Sequence, residues 1–135
     1  MNLLDKVSTL MSTDLITVFV DTPLGEGGKL FGEHSIHHLP VVSTGGQLEG
    51  IVSKSDFLKL FELRVINPTV GSIMTSGMAK LEPTDSLRTA VNLFALNRFH
   101  ALPVVEGERL VGILTTLDII RLMDRQETRL EDYRG

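Results

Sequence analysis

The sequence predicts an α/β (α+β) fold in which two tandem β-α-β-β-α units pack as a pseudo-two-fold pair. Three observations predict it. An internal repeat runs through most of the chain. Each copy of the repeat carries the same order of strand and helix signals. The length of 135 residues suits two small units sharing a core.

The repeat is read residue by residue. At an offset of 63, Val7 matches Val70, Met11 matches Met74, Leu24 matches Leu87, and Leu30-Phe31 matches Leu93-Phe94. His37 matches His100, and Leu39-Pro40-Val41-Val42 matches Leu102-Pro103-Val104-Val105. One residue is then lost in a turn. At an offset of 62, Leu48 matches Leu110, Gly50-Ile51 matches Gly112-Ile113, and Asp56 matches Asp118. The period exceeds that of solenoid units, so two copies read as a pair rather than an array. The boundary is set near Asn67-Pro68, giving repeat 1 over 1–66, repeat 2 over 67–123 and a C-terminal helical extension over 124–135.

The elements follow in order. Leu15 to Val20 is apolar and β-branched, which predicts a strand. Thr22-Pro23 signals a helix start with proline at the first helical position, and Leu24, Leu30 and Phe31 mark its apolar face. Gly45-Gly46 between Leu39–Val42 and Leu48–Val52 predicts a hairpin, and Asp56 to Leu63 closes the copy as a helix. Copy two repeats the order with a strand at Met78–Leu81, a helix at Asp85–Asn97, a hairpin around Glu106-Gly107-Glu108 and a helix from Thr116 onward. Neither copy alone buries much area, so the helical faces of the two copies are expected to pack on each other. Gly25, Gly27 and Gly28 weaken the first helix; close packing and ordering on ligand binding are both open readings.

Composition excludes several function classes. Hydrophobic residues make up 42% of the chain and the formal charge is −4, which argues against the basic face of a nucleic-acid binder. Cysteine is absent, excluding disulfides and thiol chemistry. The opening Met1-Asn2-Leu3-Leu4-Asp5-Lys6 does not read as a signal peptide, and no run approaches the roughly 18 apolar residues of a membrane span. The expectation is a cytoplasmic protein without membrane insertion. No P-loop, Gly-x-Ser-x-Gly, His-Glu-x-x-His or dinucleotide fingerprint occurs, so no catalysis is expected.

The ordered set of motifs resembles the cystathionine-β-synthase-type (CBS) domain. Copy one carries it in Leu10-Met11-Ser12, His37-His38-Leu39-Pro40-Val41-Val42 and Gly50-Ile51-Val52-Ser53-Lys54-Ser55-Asp56. Copy two carries it in Ile73-Met74-Thr75, Arg98-Phe99-His100-Ala101-Leu102-Pro103-Val104-Val105 and Gly112-Ile113-Leu114-Thr115-Thr116-Leu117-Asp118. The resemblance implies a regulatory module with two clefts that take AMP, ADP, ATP or S-adenosylmethionine. It further implies a homodimer and a regulated enzyme or transporter as partner. A dimeric interaction scaffold without a ligand is the alternative.

Within the pattern, Ser53 with Asp56 and Thr115 with Asp118 set a hydroxyl three residues before a carboxylate. An ionised carboxylate accepts from adjacent ribose hydroxyls, and the resemblance gives these residues contact with ribose and nearby phosphate. The same spacing is a near capping box, and both roles can coexist at a helix N-terminus. Gly50 and Gly112 are expected to let the ligand approach. His37, His38, Arg98 and His100 stand where family members contact phosphate, or they are ordinary surface or interface side chains. The spacing of His34, His37 and His38 permits a metal, but Pro40 is expected to end any helix before all three share a face. The adenine is expected near Ile16 and its match Ala79, with backbone groups reading its edge. Ile51, Val52, Ile113 and Leu114 are expected in the sheet core, with at most one walling the slot. Where one cleft binds more tightly, it is expected to be the one using Asp118. The mixed charges after Asp118 read as a solvated face, and the stripe of Ile119, Leu122, Met123, Leu130 and Tyr133 is open as a dimer or docking face.

Overall fold

The computed structural model of the chain describes residues 2–61, 64–97, 99–124 and 134. Helix α1 (Leu24–His34) leads into strands β1 (His38–Val42) and β2 (Leu48–Ser53), and a 3₁₀ helix at Lys54–Phe61 closes the first repeat. The second repeat runs through α2 (Leu87–Asn97), β3 (Ala101–Glu106), β4 (Arg109–Thr115) and α3 (Thr116–Met123). Each hairpin is antiparallel, with Gly46 and Gly107 supplying the positive φ its turn requires. A bulge falls at the same place in both, between Val41 and Val42 and between Val104 and Val105.

The segments expected as first strands are reduced to single bridges, Val18 with Val41 and Leu81 with Val104. The cause is a proline in each partner strand. Val18 N–H donates to Pro40 O at 3.1 Å and Val42 N–H donates to Val18 O at 2.9 Å. The next parallel bond would run from the N–H of residue 40 to the Ile16 carbonyl, and proline has no N–H. Pro103 interrupts the pairing back to Ala79 in the same way.

Helix boundaries also shift. Pro23 is the N-cap of α1 rather than its first helical residue. Helix α2 begins at Leu87 instead of Asp85, because the Asp85 carboxylate turns back to accept from Glu82 N–H at 2.8 Å. The helix expected over Asp56–Leu63 is a 3₁₀ helix starting at Lys54, and its last two expected residues lie outside the described set. Of the C-terminal extension, residues 125–133 and 135 likewise lie outside it, Leu130 and Tyr133 of the expected stripe among them.

Among the described residues, the buried faces of α1 and α2 fall in separate clusters, each on its own hairpin. Leu24 and Phe31 of α1 join Leu39, Val41 and Val52 in one buried cluster. Leu87 and Ala90 of α2 join Leu102, Val104 and Leu114 in another. The repeats are bound together by exchange of their leading segments. Val7 lies in the core of repeat 2, and Val70 and Ile73 lie in the core of repeat 1. Backbone bonds fix the exchange: Val7 N–H donates to Asp85 O (2.7 Å) and Leu87 N–H to Asp5 O (2.8 Å), mirrored by Val70 N–H to Thr22 O (2.9 Å) and Leu24 N–H to Pro68 O (3.1 Å).

The same exchange explains the two strand glycines. A Cβ on Gly50 would stand 2.7 Å from Thr75 O, and one on Gly112 would stand 2.5 Å from Met11 Sδ and 3.2 Å from Ser12 O. These glycines admit the other repeat's leader, not a ligand. In α1, Gly27 and Gly28 are packing glycines, facing Val70 Cγ2 at 3.0 Å and Phe57 Cε1 at 3.3 Å. Gly25 has nothing within 4 Å and no packing role. The hairpin tips complete the join: Leu48 N–H donates to Glu108 O (2.9 Å) and Leu110 N–H to Gly46 O (3.1 Å).

Candidate functional site

A cavity of about 460 Å³ opens between the extended segment of repeat 1 and the β4–α3 junction of repeat 2. Strand alternation places its back wall. Along β4, Leu110, Gly112 and Leu114 point inward, so Ile113 and Thr115 share the opposite face and line the cavity. Ile113 is thus the one wall residue among the four sheet residues considered, while Val52 and Leu114 are fully buried core.

Thr115 ends β4 and caps α3. Its Oγ1 accepts from Asp118 N–H at 3.2 Å, and Asp118 Oδ2 accepts from Thr115 N–H at 2.9 Å. This reciprocal box holds the carboxylate rigidly at the cavity, with no described residue bonded to its Oδ1. Thr116 N–H donates to His100 O at 2.9 Å, tying the helix start to the entry of β3. One turn further along α3, Arg121 lines the same cavity, and its side chain enters no ion pair with a described residue. Sequence reasoning missed Arg121. The available signal was the offset of 62, which pairs it with Lys59 as a cation three residues after each aspartate.

The opposite wall is built by the end of α1. Ser35, left-handed at φ 52°, stops the helix with its N–H on Phe31 O. The chain then turns through Ile36 to place His37 and His38 at the cavity, facing His100 of the other repeat. Because α1 ends at His34 and His38 lies on β1, the three histidines of that stretch do not share a helical face. Among the described residues, no group of three or more metal-ligating side chains is placed to hold an ion. Burial lowers the His38 pKa below its ordinary value of 6.5; the neighbouring charges of His100 and His37 add to this and Asp56 opposes it.

Ser12, Asp14, Leu15, Ile16, Pro40, Thr116 and Leu117 complete the lining. The Ile16 N–H and carbonyl enter no hydrogen bond with a described residue. They are a free donor and acceptor beside an apolar slot, the combination that reads a heteroaromatic edge.

The cavity therefore gathers Ile16, His37, His38, His100, Thr115 and Asp118. It does not include Ser53, Asp56 or Ala79, the repeat equivalents of Thr115, Asp118 and Ile16. There Ser53 N–H donates to Asp56 Oδ2 at 2.8 Å, but Ser53 Oγ pairs with Ser55 Oγ at 2.8 Å instead of capping the helix. Asp56 Oδ1 pairs with Lys59 Nζ at 3.0 Å. Ala79 packs beside the repeat 2 core. Arg98 lies outside the described residues.

This double arrangement is that of a paired-repeat domain fold. The CBS domain family model matches residues 7–63 and 70–125, and the chain belongs to that family. A CBS domain-containing protein of Dictyostelium discoideum is 33% identical over 132 residues, covering 87% of this chain and 90% of that protein. A homoserine O-acetyltransferase of Methanohalobium evestigatum is 30% identical over 119 residues, which is 87% of this chain but 24% of that enzyme. The chain spans about a quarter of the length of such relatives. Among solved structures, the CBS domain pair of protein MJ0100, in complex with 5-methylthioadenosine and S-adenosylmethionine, superposes with TM-score 0.81 at 28% identity, covering 89% of this chain and 96% of that one. CBSX2 in complex with AMP superposes with TM-score 0.79 at 27% identity, covering 96% and 98%.

Proposed function

We propose that this chain is a non-catalytic regulatory module that senses an adenosine compound in the Asp118 cleft. The observation that carries the reading is the convergence on one cavity of a capped carboxylate, three histidines, an arginine and an unpaired backbone edge. Asp118 Oδ1 accepts from the ribose hydroxyls, and the Thr115 hydroxyl, already an acceptor, keeps its proton to donate. The adenine lies against Ile16, Pro40 and Ile113, its edge on the Ile16 backbone. Arg121 favours a phosphate-bearing ligand over the cationic S-adenosylmethionine, with His37, His38 and His100 at hand as hydrogen-bonding groups. The similarity to pairs solved with AMP and with methylthioadenosine and S-adenosylmethionine supports the adenosine class.

The ligand acts by binding one arrangement of the repeats better than another, and the regulated partner is a separate enzyme or transporter. The catalytic activity of the longer relatives is not carried over, since the match covers about a quarter of them. Among the described residues no helix is long and apolar enough to cross a membrane, and we place the module in the cytoplasm. We further propose a homodimer formed on the closing helices, where Leu58, Leu117, Ile120 and Met123 are exposed. Light scattering on the purified protein tests the dimer; a monomer at all concentrations rejects it.

A thermal-shift series against AMP, ADP, ATP, methylthioadenosine, S-adenosylmethionine and GTP tests the ligand. A ligand at about 100 times its Kd adds roughly 2.7 kcal/mol, several degrees for a chain of this size. The expected result is a shift with an adenine nucleotide that Asp118→Asn abolishes. No shift with any of them, in protein freed of carried-over nucleotide, leaves the ligand-free scaffold as the better reading.

A further inference from the structure

The two repeats carry the same trio of hydroxyl, carboxylate and cation: Ser53, Asp56 and Lys59 in one, Thr115, Asp118 and Arg121 in the other. The trios are used differently. At Asp56 both carboxylate oxygens are taken by the chain itself, Oδ2 by the Ser53 N–H at 2.8 Å and Oδ1 by the Lys59 ammonium at 3.0 Å. The same ammonium donates to the carbonyl of Ile73 at 3.2 Å, a residue of the other repeat's leading segment. The Ser53 hydroxyl is engaged with Ser55. At Asp118 one oxygen caps the helix, the other bonds no described residue, and the residue lines the cavity.

A difference in helix type accompanies the difference in pairing. Ser53 Oγ does not accept from the Asp56 N–H, and the segment winds as a 3₁₀ helix. With three residues per turn, positions i and i+3 eclipse, which stacks Lys59 over Asp56. Thr115 does accept from the Asp118 N–H, and α3 is α-helical. At 3.6 residues per turn, i+3 is offset by about 60° from i, and Arg121 makes no ion pair with Asp118.

We infer that Lys59 is a built-in counter-ion that latches the Asp56 cleft, so that the chain takes one adenosine ligand, in the Asp118 cleft. The inference rests on the adenosine reading of these clefts. A ligand entering the Asp56 cleft must displace an ammonium held by two acceptors before its ribose reaches Oδ1. Whether the cation three residues after each aspartate pairs with it thus sets which of the two homologous sites is open.

Equilibrium dialysis with labelled AMP tests this on the whole chain. Wild type is expected to bind one AMP per chain, lost in Asp118→Asn and retained in Asp56→Asn. Lys59→Met keeps the side-chain stem and removes the ammonium; at 49% exposure the site tolerates the change without loss of fold, checked by its unfolding curve. This variant is expected to show a second site at least ten-fold tighter than any residual wild-type binding there, abolished by adding Asp56→Asn. Two wild-type sites within three-fold of each other overturn the inference, as does a single wild-type site lost in Asp56→Asn, or a Lys59→Met variant with an unchanged number of sites. If wild type binds nothing while Lys59→Met gains a site lost with Asp56→Asn, the latch stands and the Asp118 reading falls. If neither binds, both fall.

Discussion

Pro40 leaves the carbonyl of Ile16 without a sheet partner, because the parallel bond that would reach it requires the N–H that proline lacks. Both residues line the cavity, so one substitution in a strand prepares a backbone acceptor in a cleft. Pro40→Ala restores the N–H. The ladder is expected to extend to Ile16, seen as slow exchange of the new residue 40 amide. The gain of about 0.5–1.5 kcal/mol from the bond is opposed by about 0.4–1 kcal/mol from the more flexible unfolded chain, so stability changes little. Affinity for AMP and adenosine should fall together. Unchanged affinity with a protected amide excludes Ile16 as the base-reading edge.

Arg121 is expected to discriminate by charge. Removing it with Arg121→Met should weaken AMP binding by at least ten-fold, about 1.4 kcal/mol, while leaving adenosine within two-fold. Titration calorimetry of both ligands on both proteins makes the comparison. Equal losses for AMP and adenosine would assign Arg121 a packing role instead.

His38 makes the fold sensitive to mild acid. Its pKa is lowered in the folded chain, chiefly by burial, so the unfolded chain binds the proton more readily. The stability associated with the neutral ring is complete above the ordinary value of 6.5 and is lost as pH falls through the lowered folded value. His38→Ala installs the residue that copy two carries at Ala101, and should flatten the fall in Tm below about pH 6.5 relative to wild type. Parallel Tm curves for the two proteins would remove His38 from the acid response.

The glycines separate by what faces them. Gly25→Ala places a methyl in open space on a helix and should stabilise by roughly 0.5–1 kcal/mol. Gly27→Ala presses on the core residue Val70, and Gly50→Ala presses on the Thr75 carbonyl. Gly50→Ala is expected to be the more destabilising, by about 1–3 kcal/mol, because backbone yields less than a side chain. Urea unfolding of the three variants gives the order; a neutral Gly50→Ala would show that the leader can move aside.

Repetition made most of the architecture legible. The paired hairpins, both long helices and the Thr115–Asp118 cap follow from local patterns that occur twice. What escaped the sequence depends on which copy a segment meets. Val7 and Val70 read as the starts of their own repeats, yet each completes the other's core, and Gly50 and Gly112 gain their purpose from that crossing. The inequality of the clefts was visible as Ser53 against Thr115, but its mechanism was not. It lies in Lys59 pairing with Asp56 where Arg121 leaves Asp118 unpaired, beside a hydroxyl that bonds Ser55 rather than its own helix, a choice among near-equal partners that spacing does not decide.

The crossing of leaders also sets what can be inherited or transplanted. A fragment cut at the repeat boundary would carry off the plug of its neighbour's core and leave its own cavity for the neighbour's plug unfilled. Shuffling a single repeat into another protein thus breaks two cores at once, whereas moving both together breaks none. The duplicated halves are locked into co-inheritance by the thread that joins them, and sequence drift in either leader is constrained by the opposite half.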